Sequence, residues 1–146
     1  MNFIFQKTNI KEVIEIRQKK FHDNRGYFVE DYDYETFKRN GIPNVFVKNN
    51  LSFSVHGVLR GLHFQKGVAA QAKLVRVIQG RVLDVAVDLR PESKTYKKHV
   101  SIELSDEKQN MLFIPRGFAH GFLVLSGTAT LYYMCDNYYR DRKSVV

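Results

Sequence analysis

Between residues 45 and 135 the chain is broken into short lengths. Eight runs rich in β-branched and aromatic residues (45–54, 57–65, 72–79, 81–89, 98–104, 111–115, 120–125 and 128–135) are separated by Gly, Pro, Asn or Ser. Short strands at regular spacing each have one face to bury, which points to a sandwich or barrel. Upstream, residues 13–19 alternate apolar and polar side chains, with Ile14 and Ile16 against Glu15 and Arg17, and read as a strand. Asp23-Asn24-Arg25-Gly26 is a turn signal, followed by the strand-like Tyr27-Phe28-Val29. One helix is expected, over 34–40, capped by Asp33 and stopped by Gly41 with Pro43 just beyond. The expected class is all-β with one short helix near the N-terminus.

No internal repeat or Gly/Ser/Pro-rich linker divides the 146 residues, so a single domain over 1–146 is expected. Gly and Pro are few (9 and 3) and 44% of residues are hydrophobic, which excludes a disordered or collagen-like chain. No stretch approaches the roughly 20 apolar residues of a membrane-spanning helix. The opening Met-Asn-Phe-Ile-Phe-Gln-Lys has no basic region followed by a long apolar one. A cytoplasmic protein with no membrane partner is expected. The only cysteine, Cys135, excludes an intramolecular disulfide and a multi-cysteine metal site.

The formal charge is +8, and most of the surplus falls after residue 50. A basic excess suits an anionic partner. However, no dense run of Lys and Arg and no nucleic-acid motif is present, and the basic residues do not alternate with exposed aromatics. No nucleic-acid partner is therefore expected.

Strand periodicity places polar residues on shared faces. In 57–65, Gly61, His63 and Gln65 fall together. In 81–89, Asp84, Ala86 and Asp88 oppose Leu83, Val85 and Val87. In 128–135, Tyr133 goes with Ala129, Leu131 and Cys135, and Lys73 goes with Val75 and Val77. Inside a small barrel such residues are either core or ligand contacts. Singly, each has an ordinary structural explanation. His63 reads as a satisfied strand histidine, Tyr133 as a core tyrosine, Lys73 as a snorkelling rim lysine, Asp84 as a turn ligand and His120 as a loop residue. A metal would have to sit on His63 and His120 alone, short of the three protein ligands a transition-metal site normally has, so none is expected.

Taken in order, these segments resemble one family, the dTDP-4-dehydrorhamnose 3,5-epimerases, jelly-roll barrels of the cupin class. The resemblance is carried by Asp23-Asn24-Arg25-Gly26-Tyr27-Phe28 with Glu30, and by Gly57-Val58-Leu59-Arg60-Gly61-Leu62-His63-Phe64-Gln65. It continues through Gln71-Ala72-Lys73-Leu74-Val75-Arg76 and the run 80–90, then through Ile114-Pro115-Arg116-Gly117-Phe118-Ala119-His120-Gly121-Phe122. It ends at Tyr133-Met134-Cys135-Asp136-Asn137-Tyr138-Tyr139.

The resemblance implies a metal-free, cofactor-free epimerase of a nucleotide-linked 4-keto-6-deoxy sugar, dTDP- or CDP-linked, in deoxysugar and surface-polysaccharide synthesis. His63 would be the base that removes the acidic proton beside the C4 ketone, at C3, at C5 or at both. Lys73 would stabilise the enolate oxygen, and Tyr133 would return a proton from the opposite face. Arg25, Arg60 and His120 would hold the diphosphate. Glu30, Asn50, Ser52, Gln65 and Tyr139 would complete the substrate pocket. A homodimer is also implied, with residues 13–19 and Phe21 as the edge to be covered.

The run 47–54 departs from the family's usual Gln-Asp-Asn-His-Ser-x-Ser at Lys48, Asn49 and Leu51. Family members continue past the tyrosine pair into a tail whose aspartate bonds the base. Here Asp84 is the expected substitute. The alternative expectation is a truncated homologue that binds sugar nucleotide or a partner with weak turnover.

Overall fold

The computed structural model describes residues 2–138 and 144–145. The strands are β1 (Phe3–Lys7), β2 (Ile14–Gln18), β3 (Lys20–Asp23), β4 (Gly26–Val29), β5 (Lys48–Val55), β6 (Leu59–Gln65) and β7 (Lys73–Gln79). They continue with β8 (Arg81–Asp88), β9 (His99–Ser105), β10 (Asn110–Ile114), β11 (Phe118–Val124), β12 (Thr128–Cys135) and β13 (Ser144–Val145). Helix α1 spans Tyr34–Arg39, and a single 3-10 turn covers Gly67–Ala69. No described helix is long and apolar enough to cross a membrane.

Two antiparallel sheets make a jelly roll. One runs β1-β2-β10-β7-β12-β5, the other β13-β6-β11-β8-β9, and β3-β4 forms a separate hairpin. Val75, Val77, Leu112, Ile114, Ala129 and Leu131 of the first sheet pack against Val82, Ala86, Val100, Leu104, Phe118 and Phe122 of the second. The period-two alternation of the sequence is thus realised, and Asp84, Ala86 and Asp88 form the fully buried face of β8. Leu83, Val85 and Val87 form its half-buried back.

The outer face of the larger sheet carries a second core of Phe3, Ile14, Ile16, Leu74, Met111 and Phe113, closed by α1. Asp33 caps that helix by accepting the Thr36 N–H at 3.1 Å. Glu35 in the first turn and Lys38 and Arg39 in the last agree with the helix dipole. Phe37, wholly buried, meets Phe3 and Phe5 edge-on with ring centres 4.9 and 5.0 Å apart.

Two expectations need correction. The segment 13–19 is not an exposed edge, because β2 lies between β1 and β10. Phe21 belongs instead to the β3-β4 hairpin, which the sequence reading recognised only in its second strand. His120 is not a loop residue either, since β11 starts at Phe118 and buries it.

Candidate active site

The open end of the barrel holds a cavity of two connected lobes, about 390 and 450 Å³. His63, Lys73, His120 and Tyr133 line both. Asn50, Gln65, Gln71, Lys48 and Cys135 add to one lobe, and Ser52, Arg60, Phe53 and Phe122 to the other. Among the described residues, neither lobe has a carboxylate in its lining.

Strand register brings these groups together. His63 on β6 stands level with His120 on β11. The two strands approach so closely that a Cβ on Gly61 would sit 2.6 Å from the His120 carbonyl, and one on Gly121 would sit 2.7 Å from the Arg60 carbonyl. Gly61 also has φ +106°, a conformation that side-chain-bearing residues rarely adopt. The facing sheet contributes Lys73, level with Cys135, and Tyr133, level with Asn50.

Asp84 does not serve His63. It is wholly buried, and His120 Nε2–H donates to Asp84 Oδ1 at 2.7 Å. The reason is positional: Asp84 lies level with Phe122, two residues along β11 from His120, a diagonal that a histidine ring spans. The bond fixes the orientation of the His120 ring in the cavity wall. Asp84 Oδ2 is buried with no hydrogen-bond partner among the described residues.

The electrostatics follow from burial and from the excess of cations. His63 is held below its ordinary pKa by burial, then by the neighbouring Lys73 and His120, so it is a free base at neutral pH. Burial also lowers Lys73, against an opposing pull from Cys135 and Asp84. Burial raises Tyr133, so its phenol keeps its proton. The Lys73 ammonium lies 5.5 Å from the centre of the Tyr133 ring. A neutral imidazole, an ammonium and a protonated phenol on one wall suit removal and return of a proton beside a carbonyl.

Of the residues expected at the site, His63, Lys73, Tyr133, His120, Asn50, Gln65, Ser52 and Arg60 line the cavity. Asp84 lies behind His120 rather than beside His63. Arg25 and Glu30 are not part of it. Arg25 is 87% exposed on the hairpin and paired with Asp23, and Glu30 just beyond β4 accepts from Asn2 at 3.5 Å. Tyr139 lies outside the described residues. Lys48 and Cys135, which the sequence reading set in the run 47–54 and on the Tyr133 face, also line the wall. Gln71 lines it too, but it precedes β7 and carries no alternation signal as a site residue. Among the described residues no three His, Cys, Asp or Glu side chains gather as a metal site would require.

A sequence profile of the dTDP-4-dehydrorhamnose 3,5-epimerase family matches residues 7–146. The dTDP-4-dehydrorhamnose 3,5-epimerase of Methanothermobacter thermautotrophicus is 49% identical over 137 residues, covering 94% of this chain and 74% of that protein. The Escherichia coli K12 protein of the same name is 48% identical over 140 residues, covering 95% and 75%. The crystal structure of a dTDP-6-deoxy-D-glucose-3,5-epimerase from Legionella pneumophila, in complex with dTDP-4-keto-L-rhamnose, superposes with a TM-score of 0.94 at 42% identity. That match covers 97% of this chain and 76% of the other.

Proposed function

The chain belongs to the dTDP-4-dehydrorhamnose 3,5-epimerase family, and from this we propose that it epimerises a nucleotide-linked 4-keto-6-deoxy sugar at C3, at C5 or at both, in deoxysugar biosynthesis. His63 takes the proton from the carbon beside the C4 ketone, and the electron pair moves onto the ketone oxygen. The Lys73 ammonium steadies that enolate by its charge. Tyr133 gives its phenolic proton to the same carbon from the opposite face, and the configuration inverts. The phenolate then regains a proton while His63 releases one, so the enzyme is restored with no net proton change. His120, fixed by Asp84, and Arg60 are the cavity groups suited to the diphosphate.

The observation that carries this reading is the convergence of His63, Lys73 and Tyr133 on one cavity. The test is solvent deuterium incorporation into dTDP-4-keto-6-deoxyglucose, followed by proton NMR at C3 and C5. His63→Asn should slow exchange at every carbon the native protein exchanges, by about 10²–10⁴-fold. Tyr133→Phe should lose inversion more than exchange. Exchange at the native rate in His63→Asn would show that the base is another group.

We also place the reaction in the cytoplasm, in keeping with a cysteine that is a free thiol, and assign the protein a homodimeric state. The support for a dimer is the exposed row Leu51, Phe53 and Val55 on β5, which ends the larger sheet.

A further inference from the structure

Lys73 stands at the first position of β7. Among the described residues its ammonium is in no ion pair and lies 5.5 Å from the centre of the Tyr133 ring. Its place is therefore set by the backbone that carries it. That backbone meets β12 at one last matched pair, Lys73 level with Cys135. One step further, the Asp136 N–H donates to the Ala72 carbonyl at 3.1 Å. The bond that would complete this rung of an antiparallel ladder runs from the Ala72 N–H to the Asp136 carbonyl. Here the Ala72 N–H donates instead to the Asp136 carboxylate, at Oδ1, over 2.7 Å.

The Asp136 side chain is only 6% exposed, and its second oxygen ties in two more segments. Oδ2 accepts from Asn44 Nδ2 at 2.9 Å and from Arg116 Nε at 3.0 Å. Arg116 Nη2 also donates at 3.4 Å to the Asp136 carbonyl, the group that the Ala72 N–H bypasses. Asn44 lies in the connection that leads into β5, and Arg116 in the connection that leads into β11. One carboxylate thus joins the segments ahead of Asn50, Lys73 and His120 to the end of the strand that carries Tyr133. Removing it would leave three donors without their acceptor, one of them a guanidinium. Asn137 finishes the corner. Its Nδ2 donates to the Val68 and Ala70 carbonyls at 2.8 and 3.1 Å, and Gln71 Nε2 donates to its carbonyl at 3.0 Å.

We propose that Asp136 is a positioning residue of this cavity, whose carboxylate fixes the start of β7 and so holds the Lys73 ammonium where the enolate oxygen forms. The proposal rests on the epimerase reading and deepens it by naming a group behind the cavity lining on which the geometry depends. Asp136 acts through Ala72 rather than on the substrate.

A double-mutant cycle with Lys73→Met tests the proposal, read as kcat for deuterium exchange into dTDP-4-keto-6-deoxyglucose over hours, so that slow variants are still measured. Asp136→Ala should lower kcat about tenfold with KM within about twofold, because enolate stabilisation is an interaction of the transition state and depends on placement. In the Lys73→Met background the same substitution should change kcat by less than about twofold, since the group it positions is gone. Asp136→Asn keeps an oxygen for the Ala72 N–H and should recover most of the rate. Should the alanine variant melt below the assay temperature, Asp136→Ser takes its place in the cycle, with a loss of about threefold expected and the same dependence on Lys73. Equal losses in the two backgrounds would overturn the proposal, since a residue that serves stability alone has no reason to depend on Lys73. So would a loss in Asp136→Asn as large as that in Asp136→Ala, or a native kcat in Asp136→Ala. If the native protein exchanged no deuterium, the epimerase reading would fall and the proposal with it. Native exchange with a loss indifferent to Lys73 would sink the proposal alone.

Discussion

His63 sits at a strand position that elsewhere would be unremarkable, and two neighbours make it a base. Burial disfavours the imidazolium, and Lys73 and His120 add like charge beside it. The neutral base therefore survives to a pH below its ordinary 6.5. The acid limb of kcat/KM should fall at a pH below that value, with the rate rising as pH rises through it. An NMR titration of His63 separates the causes: in Lys73→Met its pKa should move upward, and an unchanged value would show that Lys73 does not bias the base. The faces of His63, Lys73 and Tyr133 were legible in the sequence, because alternation with period two assigns a side chain to a face. The partner of Asp84 was not legible, because alternation says nothing about diagonals between strands. Asp84 reaches His120 through a register that only the assembled β8-β11 pair defines.

The strands of the barrel were legible because turn residues mark their ends, and α1 because Asp33 and Gly41 bracket it. What escaped was order within the sheet. Segment 13–19 reads equally well as an edge or an interior strand, and only β1 and β10 on either side decide it. β1 itself shows the pattern of Phe3 and Phe5 around an exposed Ile4.

The end of β8 illustrates a polar element built for stability rather than chemistry. Asp88 is wholly buried there, and the loop that follows turns back on its carboxylate. Burial pushes the Asp88 pKa up, but hydrogen bonds from Arg90, Ser93, Thr95 and the Arg90 backbone overcome it and hold the group well below the usual carboxylate range. Arg90 Nε and Nη2 donate at 2.9 and 2.8 Å, and its guanidinium carbon lies 4.9 Å from the centre of the Phe118 ring. Asp88→Asn should cost about 3 kcal/mol in urea denaturation, because it leaves Arg90 facing a partner without charge. Because the folded pKa is depressed, this stability is fully present above about pH 4, the unfolded value. It is lost as pH falls from there towards the folded value. The gap between native and Asp88→Asn should therefore shrink on acidification, and a gap independent of pH would show that Asp88 acts through shape alone.

For the molecule as a whole, the unresolved demand is the free edge at β5. Its inward positions serve the cavity, while Leu51, Phe53 and Val55 alternate with them and stand 66, 61 and 56% exposed, Leu51 and Phe53 also bordering one lobe. A strand that ends a sheet with an apolar outer row is a template for pairing, and natural proteins either charge such edges or cover them. Asn49 is the only polar side chain on that row. A second copy related by a two-fold axis would present the same row to itself, so each chain would cover the other's edge with one self-complementary surface. Leu51→Lys combined with Phe53→Lys should then break the pair, because two added charges on each chain would face their symmetry mates. Light scattering should give twice the 17.1 kDa chain mass for the native protein at micromolar concentration, and the single-chain mass for the variant. Circular dichroism should report the same β content in both. A native protein of single-chain mass, or a variant that stays paired, would remove β5 as the interface.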